Sequence, residues 1–354
     1  MDVEKDIVAL SIPFTAGVSL AALLPSEFFP CYTVSFIAGA CLALLFTLQV
    51  FIRRTQPATM ILFFLLGIFC YCNSRIIVYP HLADLYKGET AARICGIIED
   101  IGFKGRNTSA LAQALITGRR NGLPAETISY FRESGASHLL ALSGLHLGII
   151  YTMVSKTMGI FGRSPLATRA KAILIFILSG LYAIFTGASP SIVRAFIFIN
   201  LGELASISGG RRKDSLHILC AALIIQLAFN PQNISSVGFQ LSYLAMLGIF
   251  LLYPLLKGFY PEGRGIMHEI WNSAAMSLSC QIFTAPVVWF RFGTFPEYFL
   301  ITNLVSLPLT EAFVATAVLG VCLQMAGGCP QILKNLGDFL AQALQYCLSV
   351  IAGL

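Results

Sequence analysis

His138-Leu-Leu-Ala-Leu-Ser-Gly-Leu-His-Leu-Gly148 is where this chain changes character. The preceding segment, Pro80 to Ser137, is polar, and the sequence that follows is apolar almost to Leu354. Two histidines and a serine thus stand where a membrane helix should begin. Polar groups are costly in hydrocarbon, so they are expected to face a bundle interior or water rather than lipid. On a helix, at about 100° per residue, Ser143 and His146 lie about 60° apart and share a face. His138 falls about 80° from His146 on the same reckoning, two turns earlier.

Composition sets the class around this stretch. Hydrophobic residues make up 56% of the 354 residues and charged residues 11%, against about 25% charged in soluble domains. Spans of about 20 apolar residues fit a bilayer core. The sequence supplies about ten to eleven such runs, so the expected fold is an all-α polytopic membrane protein. The acidic start (Asp2, Glu4, Asp6) and the long apolar run after it read as a first anchor rather than a cleaved leader. The ten cysteines lie mostly inside apolar runs, as small hydrophobes do. No metal or cofactor is expected, and no phosphate-binding glycine loop or metal-ligand motif is seen.

Basic residues fall on alternate loops. Arg53-Arg54, then Arg163 with Arg169 and Lys171, then Arg211-Arg212-Lys213, then Lys257 with Arg264 all read as cytoplasmic. That places the N-terminus inside and residues 80–137 outside. Three regions follow: N-terminal membrane helices over 1–79, an extracytoplasmic α or α+β element over 80–137, and a membrane core over 138–354.

Within the outer element, Ala92 to Asp100 has strand character. Thr108 to Arg119 reads as an amphipathic helix with Leu111, Ala114 and Leu115 on one face. A second short helix follows Pro124, carries Ile128 and Phe131, and ends at Gly135. Such helices either lie in the membrane interface or pack onto neighbouring spans. Lys104, Arg106, Arg119 and Arg120 form a locally basic run suited to phosphates.

Ser143 with His146 suggests nucleophilic catalysis. Two residues one turn apart on one helix are poorly placed to attack through each other, however, and interhelical hydrogen bonding or contact with water is the favoured role. Gly144 and Gly148 form a Gly-x-x-x-Gly spacing that permits close helix packing. Ser191 and Arg194 follow Ser189-Pro190, where broken backbone leaves a polar opening. Gln240 and Asn303 stand at or inside later spans. His138, Ser143, His146, Ser191, Arg194, Gln240 and Asn303 therefore make up a candidate polar path.

These residues occur in an ordered series of blocks. Leu115-Ile-Thr-Gly-Arg119, Phe131-Arg-Glu-Ser-Gly-Ala-Ser-His138 and the 138–148 stretch are followed by Gly187-Ala-Ser-Pro-Ser-Ile-Val-Arg-Ala195. Asn230-Pro231, Gly238-Phe-Gln-Leu-Ser-Tyr-Leu-Ala245 and Asn303-Leu-Val-Ser-Leu-Pro308 come next. The series resembles the ComEC family of competence DNA-uptake channels. The resemblance implies a bacterial cytoplasmic-membrane protein that passes single-stranded DNA inward; with no nuclease metal motif in its sequence, this chain is not expected to be an enzyme. It also implies an extracytoplasmic DNA receptor, a cytoplasmic helicase and work as one chain or as a homodimer. Family members carry an outer OB-type domain and a nuclease-like domain. Here the outer region is expected to hold only an OB remnant at Ala92–Asp100, and the nuclease to be separately encoded. An intramembrane serine hydrolase using Ser143 and a small-molecule or lipid transporter are the alternatives.

Overall fold

A computed structural model describes residues 3–24, 30–51, 56–76, 82–140, 144–160, 164–186, 189–207, 215–259, 265–293 and 297–353. Among them the chain is helical throughout, with no strand. Among the described residues, five helices are long and apolar enough to cross a membrane: Gln56–Ile76, Pro165–Ile184, Pro190–Ile207, Met267–Phe292 and Phe299–Met325. Four further apolar stretches, Ile7–Leu23, Cys31–Thr47, Ser215–Phe229 and Val237–Leu251, are shorter. The polytopic all-α expectation stands. The chain forms two compact units, residues 1–80 with 201–250, and residues 81–200 with 251–354.

In the first unit, α1 (Val3–Leu23) and α2 (Cys31–Phe51) both pack on α3 (Gln56–Ile76). The α1–α3 crossing has almost no side chain between the backbones. A Cβ on Gly17 would run into the Phe64 carbonyl, and one on Gly67 would run into the Phe14 carbonyl. Helix α11 (Ser215–Phe229) packs on α1, and a 3-10 turn, Pro231–Ser235, leads into α12 (Val237–Leu251). The Tyr243 hydroxyl donates to Gln226 Oε1 at 3.0 Å, tying α12 to α11 in the interior. Between α2 and α3 lies an apolar cleft of about 410 Å³ lined by Tyr32, Phe36, Gly39 and Phe69.

The second unit is built around three short helices that no bilayer span accounts for. These are α5 (Thr108–Thr117), α6 (Ala125–Glu133) and α7 (Ser137–Leu140). Seven residues of α5 are buried, including Leu111, Ala114 and Leu115, and α5 packs against α4 (Leu82–Ile101), α15 (Phe299–Met325) and α16 (Gln331–Ala352). Of the two placements open to this helix, packing on neighbouring helices is the one observed. Leu111, Leu115, Phe131, Phe313, Leu344 and Leu348 belong to one core. Gly118 (φ 77°) and Gly135 (φ 78°) close α5 and α6 in the left-handed region, where glycine carries no Cβ penalty.

The strand expected at Ala92–Asp100 is a correction: these residues are helical, within α4. Ala91, Cys95, Ile98 and Ile101 are buried, at the three- and four-residue spacing of a helix face. No OB-like strand remains there.

Two apolar stretches are each described as a pair of helices. The span set to begin near Leu139 is α7 followed by α8 (Gly144–Gly159), with residues 141–143 outside the described set. The span expected over 237–256 ends at Leu251, and α13 (Tyr253–Lys257) restarts with Pro254 in its first turn. The last expected span forms as α16, but as a one-faced helix that buries Asp338, Leu340, Ala341, Leu344 and Leu348.

Candidate functional site: the polar seam around α8

Helix α8 opens on Gly144, where it meets the first turn of α10 (Pro190–Ile207) closely. A Cβ on Gly144 would lie 2.9 Å from Ala195 Cβ and 3.3 Å from Arg194 Nη2, with the Ser191 carbonyl at 3.7 Å. The 138–148 and 187–195 blocks, some 45 residues apart, therefore share one junction. Gly148 takes no part, since a Cβ there would meet nothing within 4 Å. The two-glycine seam expected from Gly-x-x-x-Gly is corrected to a single contact. Four residues advance a helix by about 40°, enough to carry Gly148 clear of the crossing.

His146 is 2% exposed, and neither ring nitrogen has a hydrogen-bond partner among the described residues. Two residues from Gly144, it points to the opposite side of α8. Ile149, one turn on, shares its face and packs against the core that holds Phe313, Val314 and Ala317 of α15. The remaining face, Leu147, Ile150, Tyr151 and Val154, lines a small apolar space with Ile175 and Ser179 of α9 (Pro165–Phe185) and Ile199 of α10. His146 thus lies on the buried arc of α8, between the side of Ile149, which meets that core, and the side of Ile150, which meets α9 and α10.

Helix α15 brings a row of hydroxyls to its buried side. Thr302, Ser306 and Thr310 are each 0% exposed, at four-residue intervals. Thr302 Oγ1 donates to the Ser134 carbonyl at 2.7 Å. Ser306 Oγ, Thr310 Oγ1, Asn303 Oδ1 and Ser134 Oγ are buried without a hydrogen-bond partner. Sequence reasoning picked out Asn303 and missed Ser306 and Thr310. Their 302–306–310 spacing was the available signal, but hydroxyls are too common in membrane helices for spacing alone to single them out.

The other expected site residues fall elsewhere. His138 lies on α7, exposed, with Nδ1 3.3 Å from the Gly135 carbonyl. Residues 141–143, between it and His146, lie outside the described residues. Ser143 lies outside the described residues. Gln240 donates its Nε2 to the Ile234 carbonyl at 2.8 Å, closing the 3-10 turn within the first unit. Asn200, in contrast, joins α10 to α9 through Ser179 Oγ at 3.2 Å.

The four basic phosphate candidates divide into two pairs at opposite ends of α5, about 15 Å apart at 1.5 Å per residue. Lys104 and Arg106 are exposed in the turn before it, and Arg119 and Arg120 are exposed after it. Arg120 Nη2 donates to the Leu140 carbonyl at 3.0 Å, tying the segment after α5 to α7. Asp338, not singled out in the sequence, accepts from the Lys104 N–H at 2.9 Å and the Gly105 N–H at 2.8 Å. No cluster of three or more metal-ligating side chains occurs among the described residues.

Residues 115–354 match the sequence model of a family described as Competence protein. The chain is 29% identical over 219 residues to ComE operon protein 3 of Bacillus subtilis (strain 168), which covers 61% of this chain and 27% of that protein. It is 30% identical over 249 residues to an uncharacterized protein of Aquifex aeolicus (strain VF5), covering 69% of this chain and 55% of the relative. It is 24% identical over 241 residues to the uncharacterized protein YcaI of Escherichia coli (strain K12), covering 66% and 31%. The chain therefore spans less than two thirds of each of these relatives. No solved structure matches.

Proposed function

The chain belongs to the Competence protein family, and from that membership we propose that it forms the membrane core of a translocator passing single-stranded DNA across the bacterial cytoplasmic membrane during DNA uptake. The observation that carries this reading is the family match over residues 115–354, which takes in the Gly144 junction and the buried polar row on α15. An enclosed polar row among apolar helices supports passage of something hydrophilic. Exposed Lys104 and Arg106 supply cationic contacts for a phosphate backbone. In this reading the N-terminus is cytoplasmic. The chain holds the path rather than cutting the strand, and a DNA receptor, a helicase and a nuclease act as separate partners. A second copy of the chain completes the assembly if one copy does not enclose the path.

Purified protein in liposomes tests the proposal. Fluorescent single-stranded oligonucleotide should become protected from added nuclease, while duplex DNA of the same length stays outside. Entry of small labelled solutes with exclusion of both DNAs would replace this reading with a small-molecule transporter. Labelling of Ser143 by a fluorophosphonate probe would replace it with a hydrolase.

A further inference from the structure

The buried polar atoms of the second unit are concentrated rather than scattered. His146 offers two ring nitrogens from α8, and Asn303, Ser306 and Thr310 offer oxygens from α15, all without hydrogen-bond partners among the described residues. Helices α8 and α15 pack on each other, and His146 is buried on the arc of α8 that includes Ile149, which packs on the core holding Phe313 and Val314 of α15.

The hydroxyls behave unlike others in the chain. A serine or threonine in an apolar helix ordinarily satisfies itself on a carbonyl one turn back. Thr117, Thr152, Thr186, Ser279 and Thr316 do so here, onto Gln113, Gly148, Tyr182, Ala275 and Ala312. Ser306 and Thr310, each 0% exposed, do not. Pro308, between them, has no N–H, so the Leu304 carbonyl loses its usual donor four residues on. Donors and acceptors left open in one place, at spacings of one helical turn, are the surroundings a buried water requires, with two to four polar partners each. An imidazole among them is a group that can take up and release a proton.

We propose that the α8–α15 seam is a hydrated proton site, in which water held by Asn303, Ser306 and Thr310 carries protons to and from His146. In the uptake step a hydronium ion gives its proton to the lone pair of the neutral imidazole, leaving water and an imidazolium. In the release step the imidazolium returns a proton to water on the other side of the seam. The proposal stands independently of DNA as cargo.

The charged and titratable groups on the neighbouring helices leave His146 as the centre. Arg194 of α10 stands at the Gly144 junction, on the far side of α8. Tyr182 of α9 directs its hydroxyl to the Ile116 carbonyl at 3.5 Å. Glu311 of α15 is exposed. Lys156 of α8, and Arg169 and Lys171 of α9, lie toward the far end of α8, about 15 Å or more along its axis.

The full chain in liposomes with a trapped pH dye, under an inside-negative potassium potential, reads this directly. Wild-type protein should acidify the lumen faster than protein-free vesicles do. His146→Gln, which keeps hydrogen bonding but cannot carry the proton, should fall to the protein-free rate. The Ser306→Ala/Thr310→Val pair should be about tenfold slower than wild type, the size expected when one hydrogen bond to a moving charge is lost. The pair keeps His146, so it supplies the test if His146→Gln does not elute as a folded protein. The proposal is overturned if wild type is no faster than empty vesicles, or if either variant conducts at the wild-type rate. Oligonucleotide entry measured in the same vesicles separates the two readings: proton flux without DNA entry would sink the DNA reading alone.

Discussion

Gly105 donates its backbone N–H to Asp338 Oδ1 at 2.8 Å, across 233 residues of chain. The other carboxylate oxygen takes the Lys104 N–H at 2.9 Å. Gly105 has no room for a side chain, because a Cβ would lie 2.7 Å from Asp338 Oδ1 and collide with Thr108 Oγ1. Phe103 packs where a Cβ on Gly337 would stand, at 2.7 Å. The turn before α5 is thereby locked to α16.

Replacing Asp338 with alanine leaves two backbone donors unsatisfied beside a largely buried position. The expected cost is about 1–3 kcal/mol of stability. Asp338→Asn retains one acceptor and should lose less. Thermal unfolding in detergent ranks the variants, and limited proteolysis should cut the 102–107 turn faster in Asp338→Ala. Equal melting of wild type and Asp338→Ala would remove this lock from the account.

Gly144 and Gly148 should respond oppositely to alanine. Gly144→Ala forces a methyl to 2.9 Å from Ala195 Cβ, and overpacking of this kind costs about 1–3 kcal/mol. Gly148→Ala meets open space and gains helix propensity, up to about 1 kcal/mol. Melting temperatures of the two variants, measured side by side, check the sign of each.

Gly17→Ala and Gly67→Ala should each separate α1 from α3, because the obstructing atoms are backbone carbonyls that cannot rotate away. The expectation is loss of folded protein at expression, beyond the loss seen for Gly148→Ala. Recovery from detergent by size-exclusion chromatography measures it.

Thr302→Val keeps shape and removes the 2.7 Å bond to the Ser134 carbonyl. A loss of about 1 kcal/mol is expected, visible as a lower melting temperature with the same elution volume. No change would mean that apolar packing alone holds α15 against the end of α6.

Reporter fusions check the orientation read from the basic loops. A reporter in the Arg211-Arg212-Lys213 loop should report the cytoplasm, and one at Gln232 the outside. The reverse pattern would invert the membrane orientation without altering the helices.

Much of the helix framework was legible in the sequence because apolar length and the spacing of breakers are local properties. Thr108–Thr117 appears where Leu111, Ala114 and Leu115 place it, and Gly135 ends α6 as read. Ala92–Asp100 misled because its few apolar residues, in so short a window, fit two periods, and only packing against the rest of α4's neighbours selects one. Around the 138–148 stretch, Leu139 and Leu140 are held in the core, with the Leu140 carbonyl bonded to Arg120. Nothing local to the 138–148 stretch encodes that partner.

The sequence by itself determined that this is a polytopic helical chain of the competence type, through apolar runs, alternating basic loops and an ordered series of blocks. Tertiary structure alone decided which of its polar groups meet. Asp338 finds the 104–105 amides, Gly144 but not Gly148 finds α10, and Thr302 finds the Ser134 carbonyl. Covalent neighbours fix helix periods within a few turns, whereas pairings across tens to hundreds of residues depend on how whole helix faces fit, which no single segment carries.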